Sequence, residues 1–309
     1  MKHLIRLFAF ALLAIALSLG GCQLFVKDGS VSLSLTDAPT DAQNVDGVWI
    51  TINEIQYHSG GNWMTVADFE PEAYNLLDLT GGVTAPLADF VLPAGKVTQI
   101  RFILDVPTQG NGTPSNPGCW ISFNDGTVDA PLFIPSGGQS GVKLTGEFDV
   151  PINGSVNIVA DFDARKSVVI AGGNYILKPT IRLIVEDQAG NIAGTATGLE
   201  ADYAYAVYAY EAGSWAESET SEDASGIRFS GAVTSYILSD TDADGIADTS
   251  EGNPGYVLAF LAAGDYQVIA ARTDTTGSIE TVVVDTITVT AKGTETLALD
   301  VTSLFLPVE

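Results

Sequence analysis

An Asp-rich segment in the second half of the chain has the residue types and spacing of a calcium-binding loop. Carboxylates stand at positions 1, 3, 5, 9 and 12 of a twelve-residue stretch, and glycine stands at position 6, where the chain must turn tightly. A hard cation takes about six to eight oxygen ligands, to which the backbone carbonyl at position 7 would contribute one. The expected ligands are Asp240, Asp242, Asp244, the carbonyl of Ile246, Asp248 and Glu251.

This loop is expected to hold structural Ca²⁺ that clamps a long insertion between two strands. No helical pattern flanks it, so it resembles Asp-rich calcium repeats more than an EF-hand. The affinity expected of such an extracellular module is weak, about 10⁻⁴–10⁻³ M. The alternative is a solvated Asp- and Gly-rich hairpin loop without metal.

A second group of carboxylates lies near the middle of the chain. Asp161 and Asp163 fall on one face of a predicted strand with Arg165 in register, whereas Lys166 faces the other way. Paired carboxylates are typical of general acid–base catalysis or of a site for a sugar or a cation. Asp37, which follows the first predicted strand, could join this pair. The alternative is an internal salt-bridge cluster at a strand end.

Aromatic residues concentrate at the start of the second half of the chain. Tyr208 and Tyr210 are predicted to share one face of a strand, with Ala209 opposite, and Trp215 follows shortly after. Exposed aromatic rows stack on sugar rings, which would make these residues a ligand-binding surface. Packing in a core is the more frequent role of such residues.

The chain lacks the residues that most other catalytic mechanisms need. His58 is the only histidine after the first three residues, and no Gly-x-Ser-x-Gly elbow, zinc-type His/Cys cluster or phosphate-binding glycine loop is present. Cys119 is expected to be a buried small hydrophobe beside Trp120. Because Cys22 is the only other cysteine and is expected to be lipidated, no intramolecular disulfide is predicted.

The first residues have the pattern of a bacterial lipoprotein leader. Lys2 and Arg6 precede an apolar run over 7–19, which is too short to cross a membrane as a helix. The run ends in Leu19-Gly-Gly-Cys22, which resembles a lipobox, so Cys22 is expected to carry the lipid anchor. Gln23 favours the outer membrane if the source is Gram-negative. The alternative is an ordinary signal peptide with an incidental cysteine.

The charge balance excludes one class of partner. The chain has 13 Lys and Arg residues against 38 Asp and Glu residues, which gives a net charge of -25. Nucleic-acid binding requires clustered cations on phosphates, so no nucleic-acid partner is expected. The excess is greatest in residues 190–309, where three cations face nineteen acids.

The remaining sequence predicts an all-β protein. Short Val-, Ile-, Thr- and Tyr-rich runs are broken every 8–12 residues by Gly, Pro, Asn or Asp, a pattern typical of β-sandwiches. A break near residues 186–190 divides the chain into two sandwiches of the immunoglobulin or prealbumin type. The predicted organisation is a leader over 1–21, a lipidated tether over 22–28, and sandwiches over 29–187 and 190–309.

Two resemblances extend this interpretation. The first half resembles the bacterial lipoprotein family "domain of unknown function 4382", through five motifs that occur in order. They are Gly29 to Pro39, the strand around Val48 to His58, Leu92 to Arg101, Asp161 to Val168, and Tyr175 to Pro179. The resemblance implies a β-sandwich behind a lipid anchor, and no reaction. The second half is similar in strand rhythm and turn glycines to prealbumin-like, carboxypeptidase regulatory-like modules.

Together these features predict a non-catalytic lipoprotein of the bacterial cell envelope, held by its N-terminal lipid in the outer membrane and facing the periplasm or the surface. It would serve as a binding, adhesion or scaffold module for an envelope protein or a glycan. Two alternatives stay open. One is a carbohydrate-binding accessory lipoprotein that uses the aromatic residues. The other is a carboxylate-dependent hydrolase that uses Asp161 and Asp163.

Overall fold

The computed structural model has an all-β, sandwich-type fold, as the sequence predicts. The structure describes residues 27–38, 45–106, 118–134, 140–224, 226–239 and 255–306. Helix is scarce over these residues, where α1 (Ala164–Ser167) and α2 (Val301–Leu304) are turns of four residues each. None of the described helices is long or apolar enough to cross a membrane.

The first half of the chain contains two main sheets. The smaller has four strands in the order β15-β12-β1-β5, and the larger has nine strands built around β2. In chain order the strands are β1 (Asp28–Ala38), β2 (Val45–Ser59), β3 (Asn62–Thr65), β4 (Glu72–Asn75), β5 (Ala85–Pro93), β6 (Gly95–Val97), β7 (Gln99–Leu104), β8 (Trp120–Phe123), β9 (Ala130–Phe133), β10 (Val142–Lys143), β11 (Phe148–Val150), β12 (Ser155–Asp163), β13 (Val168–Ala171), β14 (Asn174–Leu177) and β15 (Ile181–Val185).

The alternation of apolar residues in these strands builds one core between the two sheets. In β1 the side chains of Val31, Leu33 and Leu35 are buried, while the intervening serines point away. They pack in the same cluster as apolar residues of β2, β7 and β12. Two short stretches of 3₁₀-helix, Leu76–Leu79 and Glu186–Gln188, connect strands, and Leu76 and Leu79 of the first are buried in this core.

The second half of the chain also pairs its strands in layers. A four-stranded sheet has the order β19-β18-β21-β22, and a three-stranded sheet has the order β20-β16-β23. The strands are β16 (Ala189–Gly194), β17 (Ala196–Thr197), β18 (Tyr203–Glu211), β19 (Thr234–Leu238), β20 (Tyr256–Ala262), β21 (Gly264–Asp274), β22 (Ile279–Val289), β23 (Thr294–Thr296) and β24 (Leu299–Asp300). A 3₁₀-helix at Glu217–Thr220 lies on the outer side of the larger sheet.

Apolar side chains occupy both faces of the larger sheet in this half. One cluster between the sheets includes Val207, Ala209 and Val268. A smaller cluster on the outer face includes Tyr208, Tyr210 and Phe229. The two faces of β18 are therefore both buried, which explains why this strand is a nearly continuous apolar and aromatic run rather than an alternating one.

The Val-, Ile-, Thr- and Tyr-rich runs of the sequence form strands, but several strands are shorter than the runs. The run over 142–150 is divided at Gly146, whose φ of +138° leaves the extended region. The run over 175–185 is interrupted at Lys178-Pro179, because proline cannot donate a ladder hydrogen bond. The strand predicted to pass through Arg165 ends at Asp163, and a helical turn follows it.

Candidate functional site

The three aspartates singled out from the sequence lie together at one end of the smaller sheet. β1 and β12 are adjacent and parallel, with Thr36 in register with Asp161 and Ala38 in register with Asp163. Parallel strands carry their C-terminal ends to the same edge of a sheet, so Asp37, Asp161 and Asp163 end up as neighbours. All three are buried residues. The structure therefore places Asp37 beside the pair, as the sequence suggested.

Asp161 is held in an ion pair with Arg182 of β15. The two residues face each other in the antiparallel register of β12 and β15, and a guanidinium nitrogen of Arg182 donates to Oδ2 of Asp161. Burial raises the pKa of Asp161, while the Arg182 charge acts in the opposite direction. The Asp161 side chain is only 7% exposed, so a substrate has little access to it.

Asp163 caps helix α1 and binds both of the cations that follow it. Its Oδ1 accepts a hydrogen bond from the backbone N–H of Lys166 at 3.1 Å. Its Oδ2 lies 3.4 Å from Arg165 Nη2 and 3.2 Å from Lys166 Nζ. The prediction that Arg165 continues a strand and that Lys166 faces away is therefore wrong. A helical turn brings the residue three positions after its cap back toward the cap, which places Lys166 beside Asp163, whereas in a strand Lys166 would point to the opposite face.

Asp37 is as deeply buried as Asp161, at 5% exposure. Its Oδ1 accepts a hydrogen bond from the backbone N–H of Ala164 at 2.8 Å, whereas its Oδ2 is buried with no hydrogen-bond partner among the described residues. Burial raises the pKa of Asp37 well above its ordinary value, and the nearby charges of Asp163 and Asp161 raise it further. A neutral carboxyl group is the form that this environment favours.

The two cations of helix α1 join the first half of the chain to the second. Arg165 Nη1 donates to the carbonyl of Phe229 at 2.8 Å, and Lys166 Nζ donates to the carbonyl of Ala232 at 2.6 Å. The Arg165 guanidinium also lies 5.6 Å from the centre of the Tyr208 ring. We call Asp37, Asp161, Asp163, Arg165, Lys166 and Arg182 the junction cluster. Its geometry is that of the internal salt-bridge alternative and not of an open acid–base pair.

The aromatic residues pack in the interior, which is the core-packing role and not the ligand-binding role expected from their sequence. Tyr208 is 2% exposed and Tyr210 is fully buried, so an exposed row that could stack on a sugar is not formed. The Tyr208 ring stacks on Phe229 at 4.0 Å, and Phe229 stacks in turn on the half-buried Trp215 at 5.9 Å. Tyr210 donates its hydroxyl hydrogen to Glu219, which satisfies the one polar atom that its burial removes from water.

The remaining candidate residues have ordinary structural environments. Cys119 is fully buried, as predicted, and burial raises the pKa of its thiol to about 12, so it is not a reactive thiolate. The half-buried His58 makes a hydrogen bond of 2.9 Å with the hydroxyl of Thr98 and packs against Trp63. Across the described part of the chain, no three His, Cys, Asp or Glu side chains are arranged to hold a metal ion.

Two predicted sites lie outside the described residues. They are the lipidation site Cys22 and the calcium loop with Asp240, Asp242, Asp244, Ile246, Asp248 and Glu251. Both stay predictions.

Sequence reasoning misses the partners of the carboxylates rather than the carboxylates themselves. Arg182 carries no local signal, because its pairing with Asp161 depends on the register of β12 and β15. Phe229 and Ala232 accept from the neighbouring cations Arg165 and Lys166 through backbone carbonyls, which no side-chain pattern reveals. The one sequence signal is the close succession of two acids and two cations over 161–166, which favours ion pairing as much as catalysis.

Comparison with known proteins bears on the first half of the chain. Residues 28–179 match the family model described as "Domain of unknown function (DUF4382)", which confirms the resemblance expected there. The prealbumin-like resemblance of the second half stays a prediction. No curated protein matches the chain.

Similarities to solved structures are low. A leucine-rich repeat protein from Bacteroides thetaiotaomicron is 12% identical, with a TM-score of 0.21, and the match covers 92% of this chain and 26% of that one. A candidate cell adhesion protein from Bacteroides fragilis is 8% identical, with a TM-score of 0.21 and coverages of 87% and 92%. A family 26 carbohydrate-binding module of Eubacterium rectale Amy13K, solved with maltoheptaose, is 12% identical, with a TM-score of 0.18 and coverages of 88% and 91%. Similarities at this level carry no functional argument.

Proposed function

We propose that this chain, whose residues 28–179 match the DUF4382 family model, is a non-catalytic lipoprotein of the bacterial cell envelope that serves as a binding or scaffold module. Its N-terminal lipid on Cys22 would hold it at the outer membrane, and its two β-sandwiches, over 29–187 and 190–309, would extend from that anchor. The junction cluster is the observation that carries the non-catalytic part of this proposal. The carboxylates that could have acted as acid and base are instead engaged by cations or enclosed at the contact between the two halves.

The scaffold role is supported by where those cations reach. Arg165 and Lys166 start in the first half and donate to carbonyls of the second half. Charge-assisted hydrogen bonds of this kind are directional, so they favour one orientation of the two halves over others. A fixed orientation is what a module needs if it is to present a surface at a set distance from a membrane anchor.

Metabolic labelling tests the lipid anchor. Cells that produce the chain are fed an alkyne-tagged palmitate, and the purified protein is coupled to a fluorophore. We expect the native chain to become fluorescent and Cys22→Ser to lose the signal, since the thiol at this position is the expected acceptor of the lipid. Cys119→Ser is the matched control and should stay labelled. Equal labelling of the native chain and Cys22→Ser would remove the anchor from the proposal.

Structural calcium in the loop of Asp240 to Glu251 is a further part of the proposal. Its support is the spacing of five carboxylates that would repel one another without a cation. Millimolar Ca²⁺ should raise the thermal midpoint of the native chain, and Asp242→Ala should remove that shift, as measured by circular dichroism. An unchanged midpoint in the native chain would contradict calcium binding by this loop.

The hydrolase alternative has a direct test of its own. If Asp163 served as an acid or base, the chain would hydrolyse a glycoside or ester panel and Asp163→Asn would abolish that activity. The proposal expects no turnover by either protein. No observation among the described residues favours the carbohydrate-binding alternative, because Tyr208 and Tyr210 are buried.

A further inference from the structure

The free edge of strand β22 has an unusual composition for an exposed sheet edge. β22 (Ile279–Val289) is the last strand of its sheet and is paired with β21 on one side only, as far as the described residues extend. Its eleven residues include no Pro, Lys or Arg, and six of them are Val or Ile. Natural proteins usually block long edges with Pro, Lys or Arg, because an open edge offers unpaired N–H and C=O groups to another chain.

Other edges of this molecule are protected in the usual ways. The edge strand β5 contains Pro86 and ends at Pro93, which removes backbone donors from that edge. The edge strands β19 and β13 are only five and four residues long. Within β22 itself the C-terminal part is blocked, because Asp285 Oδ1 accepts the Thr286 N–H at 2.7 Å next to a register shift. The unprotected stretch is therefore Ile279–Val284.

A groove lies beside this unprotected stretch. It has a volume of about 640 Å³ and runs between the 3₁₀-helix of Glu217–Thr220 and the chain after helix α2. Leu304, Phe305 and Leu306 form its apolar wall, and Leu306 is 63% exposed. A groove with an apolar wall next to an open sheet edge has the two parts that strand addition needs: backbone hydrogen-bonding groups, and space for alternate side chains.

We propose that the edge of β22 between Ile279 and Val284 binds an extended segment of a partner protein, which adds to the sheet as a fifth strand. The segment would alternate apolar side chains, which fill the groove against Leu306, with basic side chains. This inference rests on the proposed role as a binding module and names the kind of partner that the module accepts.

Charge decides between a foreign segment and a second copy of this chain. Glu217 borders the groove, where Glu280 is paired with Arg272 at 2.6 Å, and the half of the chain that contains the groove has nineteen acids against three cations. Two copies that paired through β22 would bring these acidic halves together, and like charges across an interface oppose association. A segment with Lys or Arg at alternate positions meets the opposite charge.

A designed peptide tests the proposal on the native chain. The probe is a fluorescein-labelled peptide of nine residues that alternates Val with Thr and Lys, and binding is followed by fluorescence anisotropy. One control peptide has Glu in place of Lys, and another has Pro in place of two central Val residues. We expect saturable binding of the basic peptide and affinity at least about tenfold lower for both controls, since one loses charge complementarity and the other loses backbone hydrogen bonds.

Hydrogen exchange locates the bound peptide. Amides within Ile279–Val284 should become protected when the basic peptide binds. Leu306→Ser and Glu217→Lys should each weaken binding severalfold, while Ile170→Ser, which changes an exposed apolar residue of β13, should not. Absence of saturable binding, equal binding of the proline peptide, or protection confined to other strands would overturn the proposal.

Sedimentation equilibrium tests whether a second copy of this chain, rather than a foreign segment, occupies the edge of β22. A dimer of the native chain that the basic peptide disperses would show that a second copy occupies this edge, which would contradict the choice of a foreign segment. Failure of any of these experiments leaves palmitate labelling of Cys22 unaffected, so the further inference and the lipid anchor are tested separately.

Discussion

At the scale of single residues, the junction cluster contains a buried carboxylate pair whose sequence is compatible with two roles, catalysis and ion pairing. The spacing of Asp161 and Asp163 is equally suited to catalysis and to ion pairing. In the structure the two carboxylates form ion pairs with Arg182, Arg165 and Lys166. Removing one partner from a buried ion pair is costly, because the charge left behind has neither water nor a counter-ion.

Asp37 gives a pH-dependent prediction. Burial raises its pKa in the folded protein, so the folded state binds this proton more tightly than the unfolded state does. Its contribution to stability is therefore greatest below the ordinary pKa of an aspartate, about 3.9, and is lost as the pH rises through the raised pKa of the folded state. A tenfold difference in proton affinity between the two states corresponds to about 1.4 kcal/mol.

The measurement is the free energy of unfolding in denaturant at several pH values above 4. Asp37→Asn keeps an acceptor for the Ala164 N–H and cannot ionise, so the variant should gain stability relative to the native chain as the pH rises. Glu70→Gln, at an exposed position, is the control. A difference between Asp37→Asn and the native chain that does not change with pH would contradict this reasoning.

At the scale of elements, helix α1 is held by a hydrogen-bonded serine. The hydroxyl of Ser167 donates to the carbonyl of Asp163 at 2.5 Å and accepts from the N–H of Thr180 at 2.9 Å, and the residue is fully buried. Ser167→Ala leaves the Thr180 N–H without this partner, so we expect a loss of about 1–3 kcal/mol in the free energy of unfolding.

Helix α2 offers the matched control for this change. Ser303 donates to the carbonyl of Asp300 at 2.9 Å but is exposed, so water can replace the hydroxyl in Ser303→Ala. Denaturant unfolding of both variants checks the comparison. Equal losses would mean that the Ser167 hydroxyl contributes nothing beyond a local bond.

A turn of the first half provides a second prediction at this scale. Gly81 has φ of +67°, and a Cβ at this position would lie 2.6 Å from Cε2 of Tyr236 in the second half. Gly81→Ala should therefore lose more stability than Gly60→Ala, which has φ of +58° and open space around it. The left-handed backbone costs both variants about 1–2 kcal/mol, and overpacking adds about 1–3 kcal/mol to the first alone.

Thermal and denaturant unfolding of the two glycine variants measure this difference. If both lost the same stability, the Tyr236 ring would be free to move aside from position 81.

The elements also show how much of the fold local sequence can predict. The alternation of Val31, Leu33 and Leu35 predicts β1 correctly, because burial of one face is a local property of a strand. The parallel pairing of β1 with β12 has no such local signal, since those strands lie more than a hundred residues apart in the chain. That pairing, rather than any local motif, is what brings Asp37 to Asp163.

At the scale of the whole molecule, the junction cluster connects two halves that each have their own apolar core. Sequence composition indicates a boundary near residues 186–190, but it gives no indication that residues 163–166 reach across it. The contact depends on Phe229, whose φ of +51° turns the backbone where its carbonyl accepts from Arg165. Such an unfavourable conformation for a bulky residue is kept only where surrounding contacts determine it.

Differential scanning calorimetry of the native chain and its Arg165→Ala variant tests this connection most directly. The Arg165 side chain is 3% exposed, and its loss removes a cation from Asp163 and a donor from the Phe229 carbonyl, which should cost about 3–5 kcal/mol. We expect one cooperative transition for the native chain and two separated transitions for Arg165→Ala, with Arg101→Ala as a control in the first half. Two independent transitions already present in the native chain, and unchanged in Arg165→Ala, would contradict a junction that couples the two halves.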